Sequence, residues 1–248
     1  MYSQICLATG LLFSSITSTV YEGDLYQNHT ESALGQVRTS EEAALISHVK
    51  MSIANAKNGI SKIDNPEILA IDGMSTSAVR HFLNNLCSLP HCRYLEIGVW
   101  KGSTWIAALY NNDNIAEAVA IDNWSQFGSP STDFTNNCGR FLDPNRYTFV
   151  DEDSFKLNPN ALFKTPVNVY FYDGCHLKES QKKAFTYYNE IFDHTFIAVI
   201  DDWSSEMHRS GTYQAFDELG YEILFEESLP AGQDQFWNGQ YVAVIRKK

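Results

Sequence analysis

Along the chain, hydrophobic positions pass from irregular to periodic near residue 40. Residues 1 to about 40 show no clear period and are rich in Ser, Thr, Tyr and Gly, which predicts an extension or cap. Ser40-Glu41-Glu42 then offers an N-cap with acids in the first turn, ahead of Ala43, Ala44, Leu45 and Val49. A second helix is expected from Ser75 or Ser77, through Val79, Phe82, Leu83 and Leu86, ending before Pro90. Beyond it, strands and helices alternate. Strands are expected at Tyr94 to Ile97, Ala118 to Ile121, Arg146 to Val150, Val167 to Tyr172 and Phe196 to Ile200. Helices are expected over Ser103 to Tyr110, about Leu177 to Phe192, and around Tyr213 to Leu219, the last stopped by Gly220. Tyr221 to Glu226 and Gln240 to Arg246 lie close enough to pair as an antiparallel edge.

Short apolar runs alternating with helices predict an α/β fold with a mostly parallel, seven-stranded sheet covered on both faces. The division expected is residues 1–90 as extension and helical cap, and 91–248 as the sheet domain. Ligands of such sheets sit beyond the carboxyl ends of the strands. Here each of the first five strands carries an acidic residue next to its last residue.

The first strand runs into Glu96-Ile97-Gly98-Val99-Trp100-Lys101-Gly102-Ser103-Thr104. Gly98 and Gly102 let the main chain approach a ligand closely, and the turn opens a helix N-terminus that favours an anion. Trp100 stands where a dinucleotide fingerprint would have its second glycine, so a phosphate-free cofactor suits the turn better. Asp122 ends the second strand and can accept from a ribose diol, or cap a helix at Trp124-Ser125. Asp153-Ser154 can meet an adenine amino group, and equally can be a plain cap. Tyr170 to His176 and Val199 to Trp203 bring Asp173, Asp201 and Asp202 into one crevice, where their charges repel unless something positive lies between them. Oxygen-only ligands select Mg²⁺, Ca²⁺ or Mn²⁺, which could hold an acceptor's oxygens. His176, three residues past Asp173, is within reach as general base; the plainer reading makes it a surface histidine and an aspartate a helix cap.

Charge narrows the partners. With 18 basic and 30 acidic residues the net charge is -12, and no basic run exists apart from Arg246-Lys247-Lys248. Nucleic acid and anionic membrane are poor partners for such a chain; a small neutral, cationic or metal-held substrate fits. Cys6, Cys87, Cys92, Cys138 and Cys175 are scattered without zinc-site spacing, which reads as reduced cytosolic thiols, so a cytoplasmic location is expected. Ile5 to Ile16 lacks the positive start and strong apolar centre of a signal peptide, and Asn28-His29-Thr30 is a sequon of a kind that arises often by chance.

These motifs resemble the class I S-adenosylmethionine-dependent methyltransferases, from about His91 to the C-terminus. The Asp-Gly-x-His segment followed by Ile-Asp-Asp-Trp is similar to the small-molecule branch that includes Mg-dependent macrolide-sugar O-methyltransferases. The resemblance implies a Rossmann-like fold with an antiparallel C-terminal edge strand. It implies that Glu96, Gly98 and Gly102, with Ser103 in the same turn, hold the amino-acid end of S-adenosylmethionine, Asp122 its ribose, and Asp153 and Ser154 its adenine. Asp173, Asp201 and Asp202 would hold Mg²⁺, and His176 would be the base for an acceptor hydroxyl. Asp72-Gly73-Met74-Ser75 and Arg80-His81 match no acceptor motif, and the loop from Trp124 to Asn137 is idiosyncratic. Gly73 to Ser75 reads as a lid or as a turn with an N-cap. Trp124, Phe127 and Trp203 are the expected pocket aromatics. Alternatives are metal-free N-methylation of a small amine, a catalytically idle cofactor-binding protein, and, least favoured, a nicotinamide-dependent dehydrogenase. The acceptor and the oligomeric state, a homo-oligomer included, stay open.

Overall fold

Seven strands order as β3-β2-β1-β4-β5-β7-β6 in one sheet, seen in a computed structural model that describes residues 38–128 and 130–248. The N-terminal extension, Cys6 and the sequon lie outside the described residues. The strands are β1 (Cys92–Ile97), β2 (Ile115–Asp122), β3 (Thr148–Asp151), β4 (Val167–Tyr172), β5 (Phe192–Ile200), β6 (Glu222–Leu229) and β7 (Gln240–Arg246). The first five are parallel. β7 is antiparallel, as expected, and lies one place in from the edge, with β6 outside it.

Alternate residues of each strand feed two cores. On one face Tyr94, Phe171, Val199 and Val242 meet α1 (Ser40–Lys57), α3 (Ser77–Cys87), α4 (Ser103–Leu109) and α5 (Ser131–Phe141). On the other, Leu95, Tyr170, Ala198 and Tyr241 meet α6 (Lys178–Thr186) and α7 (Glu206–Leu219). Burial on both faces is why β4 reads as an unbroken apolar run. Thr39–Lys248 form one compact unit.

Local chemistry explains most boundaries. Thr39, not Ser40, caps α1: its hydroxyl accepts from the Glu42 N–H while Glu42 accepts from the Thr39 N–H, a capping box. Glu42 is buried and pairs with Arg246 at 2.8 Å, which ties α1 to β7. Gly220, at φ +62°, closes α7 as expected. The long helix expected from Leu177 ends at Thr186; a short 3₁₀ turn over Asn189–Ile191 follows, and Phe192 already belongs to β5. A one-turn helix α2 (Pro66–Leu69) and α5 were not anticipated.

β1 has β2 on one side and β4 on the other. The strand order therefore reverses beside β1, and the crevice at the carboxyl ends of β1 and β4 is the place where such folds bind ligands.

Candidate active site

The turn after β1 is built by close approach. Gly98 has φ +88°, and a Cβ there would overlap the carbonyl oxygen of Asp173 on the neighbouring strand. The ladder continues past the strand ends, with Gly98 N–H donating to Ile121 C=O at 2.9 Å and Asp173 N–H to Ile97 C=O at 2.8 Å. Trp100 is also left-handed, at φ +43°. Asp122 holds this turn: one carboxylate oxygen accepts from the N–H groups of Val99 (3.0 Å) and Trp100 (2.9 Å), the other from Trp124 N–H (2.9 Å). The helix that follows starts at Ser131, so Asp122 is no helix cap. The Trp100 indole N–H donates to Phe127 C=O at 3.0 Å and draws the 123–128 loop toward the turn.

A cavity of about 680 Å³ opens beyond these strand ends. That size lies within the ~300–1,000 Å³ typical of small-molecule sites. Gly98, Asp122, Asp153 and Ser154 line it on the side of β1 to β3, and Asp173, His176, Asp201 and Asp202 on the side of β4 and β5. Asn123, Gln126 and Glu152, which sequence reasoning did not single out, add polar groups beside Asp122, and Met74 joins them from the 72–75 segment.

Several expected residues stand elsewhere. Glu96 is fully buried and off the cavity wall, its carboxylate accepting from Tyr94 O–H (2.6 Å) and Thr104 O–H (2.5 Å). Burial pushes that carboxyl up to about 8, against the pull of those two hydrogen bonds. It locks β1 to α4 and is not among the residues that line the cavity. Gly102 and Ser103 are also off the wall. Gly102, at φ +84°, faces Phe134 and Ile106, and the Ser103 hydroxyl lies 3.2 Å from that of Ser75, packed against Gly73. Among the expected aromatics only Phe127 lines the cavity; Trp124 packs on Phe134 and Phe149, and Trp203 stacks on Tyr241 at 4.1 Å. Gly73 to Ser75 is a packed turn ahead of α3, fastened by Arg80, whose Nε donates to the Ser75 hydroxyl at 3.0 Å.

On the acidic wall the three aspartates converge as expected. Burial, then the charges of Asp201 and Asp202, raise the Asp173 carboxyl well above its ordinary range; burial and Asp202 push Asp201 up to about 7. Gln240 donates to Asp201 at 2.8 Å. Asp202 is turned differently. At φ +54° it accepts from Asn238 (2.7 Å) through one oxygen and faces His176 Nε2 at 3.1 Å through the other. Behind this pair lies His208, on α7, which sequence reasoning missed because that helix begins at Glu206 and not near Tyr213. Its ring is buried and packs edge-on against His176, centroids 5.0 Å apart. Burial holds the His208 imidazole below its ordinary range.

Comparison with known proteins agrees with this fold. Residues 95–203, which run from β1 through the second acidic strand end, match a family model described as "Methyltransferase domain". No curated protein sequence matches the chain. The O-methyltransferase from Bacillus cereus, solved in complex with SAH, superposes with a TM-score of 0.52 at 13% identity, over 89% of this chain and 96% of that one. TomG, an O-methyltransferase from Streptomyces achromogenes solved with SAM, gives 0.52 at 16% identity, over 85% and 100%. Cofactor-bound Rv0187 from MTB gives 0.53 at 14% identity, over 86% and 100%. Residues 95–203 thus resemble a methyltransferase domain, and the sheet has the Rossmann-like fold of these methyltransferases.

Proposed function

We propose that this chain transfers the methyl group of S-adenosylmethionine to a hydroxyl of a small polar acceptor. The observation that carries the reading is the division of one cavity into two walls: a ribose- and adenine-matching side at Gly98, Asp122, Asp153 and Ser154, and a proton-handling side at Asp173, His176, Asp201 and Asp202. Two of the similar structures support it, being O-methyltransferases bound to SAH or SAM.

The residues fit the cofactor. Gly98 lines the cavity, and its lack of a side chain lets the turn close against the Asp173 carbonyl. Asp122, fixed by three backbone N–H groups, presents a carboxylate that accepts from a diol, and Asp153 and Ser154 lie beside it. When bound, S-adenosylmethionine supplies a methyl group that leaves sulfur as sulfur keeps the bonding pair, while the acceptor oxygen forms the new C–O bond and loses its proton. That proton is taken up on the acidic wall that Asp173, Asp201, Asp202 and His176 form. The wall also favours an acceptor without negative charge. A divalent cation belongs to this reading as well.

The test is transfer of labelled methyl from S-adenosylmethionine to a panel of catechols, sugars, polyols and small amines, with and without a chelator. Label on oxygen supports the reading. Label on nitrogen alone, insensitive to the chelator, would replace it with metal-free N-methylation.

A further inference from the structure

His208 occupies a place that its hydrogen bonding does not explain. Its Nδ1 lies 3.2 Å from the Asp201 carbonyl oxygen. A carbonyl only accepts, so Nδ1 carries the proton, and Nε2 is left as a lone pair. Nε2 is buried and has no hydrogen-bond partner among the described residues. Buried acceptors of this kind ordinarily have a donor, an ordered water or an ion. The ring meets His176 edge-on, and one ligating atom each from His176, Asp202 and His208 all lie within 4.8 Å of one another.

The set has the supports that metal ligands need. A backbone carbonyl fixes the His208 tautomer, and Asn238 fixes the Asp202 carboxylate so that its other oxygen faces His176. Asp202 holds a left-handed backbone at φ +54°, a conformation that aspartate adopts at some cost and that sets its carboxylate at the wall. Nitrogen and oxygen ligands at ~2.0–2.1 Å from an ion stand ~3.4 Å apart. The His176–Asp202 distance of 3.1 Å already suits that figure, and the half-exposed His176 has room to adjust toward His208. His176 and Asp202 also line the cavity, so an ion here would have an open side facing it.

Two imidazoles with one carboxylate are not a hard-cation site. They suit Zn²⁺ and other first-row transition dications, whereas Mg²⁺ and Ca²⁺ favour oxygen ligands. We propose that His176, Asp202 and His208 together bind one transition-metal dication of the Zn²⁺ class, in place of the Mg²⁺ expected on Asp173, Asp201 and Asp202. His176 is then a ligand and not the base, since a hydroxyl held on such an ion is acidified by the ion itself. The site stands on these side chains alone; only its use on an acceptor hydroxyl rests on the methyl-transfer reading.

The experiment uses the full chain, stripped with a chelator, dialysed and titrated with Co²⁺ while visible absorption is followed. The expected result is one equivalent of Co²⁺, d–d bands of a low-symmetry site with nitrogen ligands, displacement by Zn²⁺, and no displacement by millimolar Mg²⁺. His208→Gln and His176→Ala should each weaken Co²⁺ by ~100-fold or more, since losing even a supporting partner of a ligand costs ~10–100-fold. His176 is half-exposed, so its variant keeps the question open to test if His208→Gln fails to fold. Absence of saturable Co²⁺ binding, binding unchanged in His176→Ala, or ready displacement by Mg²⁺ would overturn the proposal. Calorimetry with S-adenosylhomocysteine on the same samples separates the two readings. Cofactor binding without Co²⁺ binding sinks the metal site alone, and the reverse sinks the methyl-transfer reading alone.

Discussion

Replacing Gly98 by alanine adds a single methyl group between the ends of β1 and β4, and its cost can be worked out from position. Gly98 has φ +88°, a region where a non-glycine residue loses ~1–2 kcal/mol. The added Cβ also overlaps the Asp173 carbonyl oxygen, and it lies 2.6 Å from that carbonyl carbon and 3.2 Å from Gly174 N. These are backbone atoms of a paired strand end, so relief requires β1 and β4 to part, an overpacking cost of ~1–3 kcal/mol. Gly128 supplies the control. It has φ +85°, and a Cβ there meets nothing within 4 Å among the described residues, so Gly128→Ala carries the conformational cost alone. The expected destabilisation is about 2–5 kcal/mol for Gly98→Ala against ~1–2 for Gly128→Ala. With a urea slope of ~3 kcal/mol/M, midpoints fall by ~0.7–1.7 M and ~0.3–0.7 M respectively, read by tryptophan fluorescence. Gly98→Ala should also weaken S-adenosylhomocysteine in a calorimetric titration. Equal midpoint shifts in the two variants would refute the close approach of the turn to Asp173.

Glu96 makes stability depend on pH. Its folded carboxyl sits at about 8 against an ordinary 4.5, so its contribution is fully present below pH 4.5 and is lost as pH rises toward 8. Glu96→Gln should flatten the fall of the urea midpoint between pH 5 and 8; an unchanged slope would show that another group carries it. Trp100→Phe keeps an aromatic ring, though a smaller one, but removes the donor to Phe127 C=O, a bond worth ~1 kcal/mol, and S-adenosylhomocysteine affinity should fall ~5-fold; parental affinity would mean the 123–128 loop does not contribute. Thr39→Ala breaks the capping box and should cost ~1 kcal/mol by urea unfolding, with cofactor affinity untouched, because α1 lies away from the cavity wall. Loss of cofactor binding in that variant would contradict the separation of α1 from the site.

The parallel part of the fold was legible because buried strands write unbroken apolar runs, and because Gly98, Asp122, Asp153, Asp173 and Asp201 punctuate their ends. The helix α5 was missed since Ser131-Thr132-Asp133 and Asn136-Asn137 are weak helix formers, and its signal was only Phe134, Cys138 and Phe141 at one helical face. The site was legible as a list of residue types at strand ends, not as a set of directions. Glu96 has the type and position of a cofactor ligand, yet its side chain points into the core, where Tyr94 and Thr104 hold it. His208 shows the converse. It follows Asp201 by seven residues, but only the early start of α7 turns its ring back onto Asp201 and His176. Trp124 and Trp203 were read as pocket walls because aromatics next to strand ends often are; here adjoining rings take them into the core.

The most direct measurement is a calorimetric titration of the full chain with S-adenosylhomocysteine, repeated on Asp122→Ala. Saturable one-to-one binding by the parent, weakened at least ~10-fold when the carboxylate that meets Val99, Trp100 and Trp124 is removed, is the expected result; it corresponds to ~1.4 kcal/mol or more. No binding by the parent, or equal binding by the variant, would contradict the assignment of this cavity to S-adenosylmethionine.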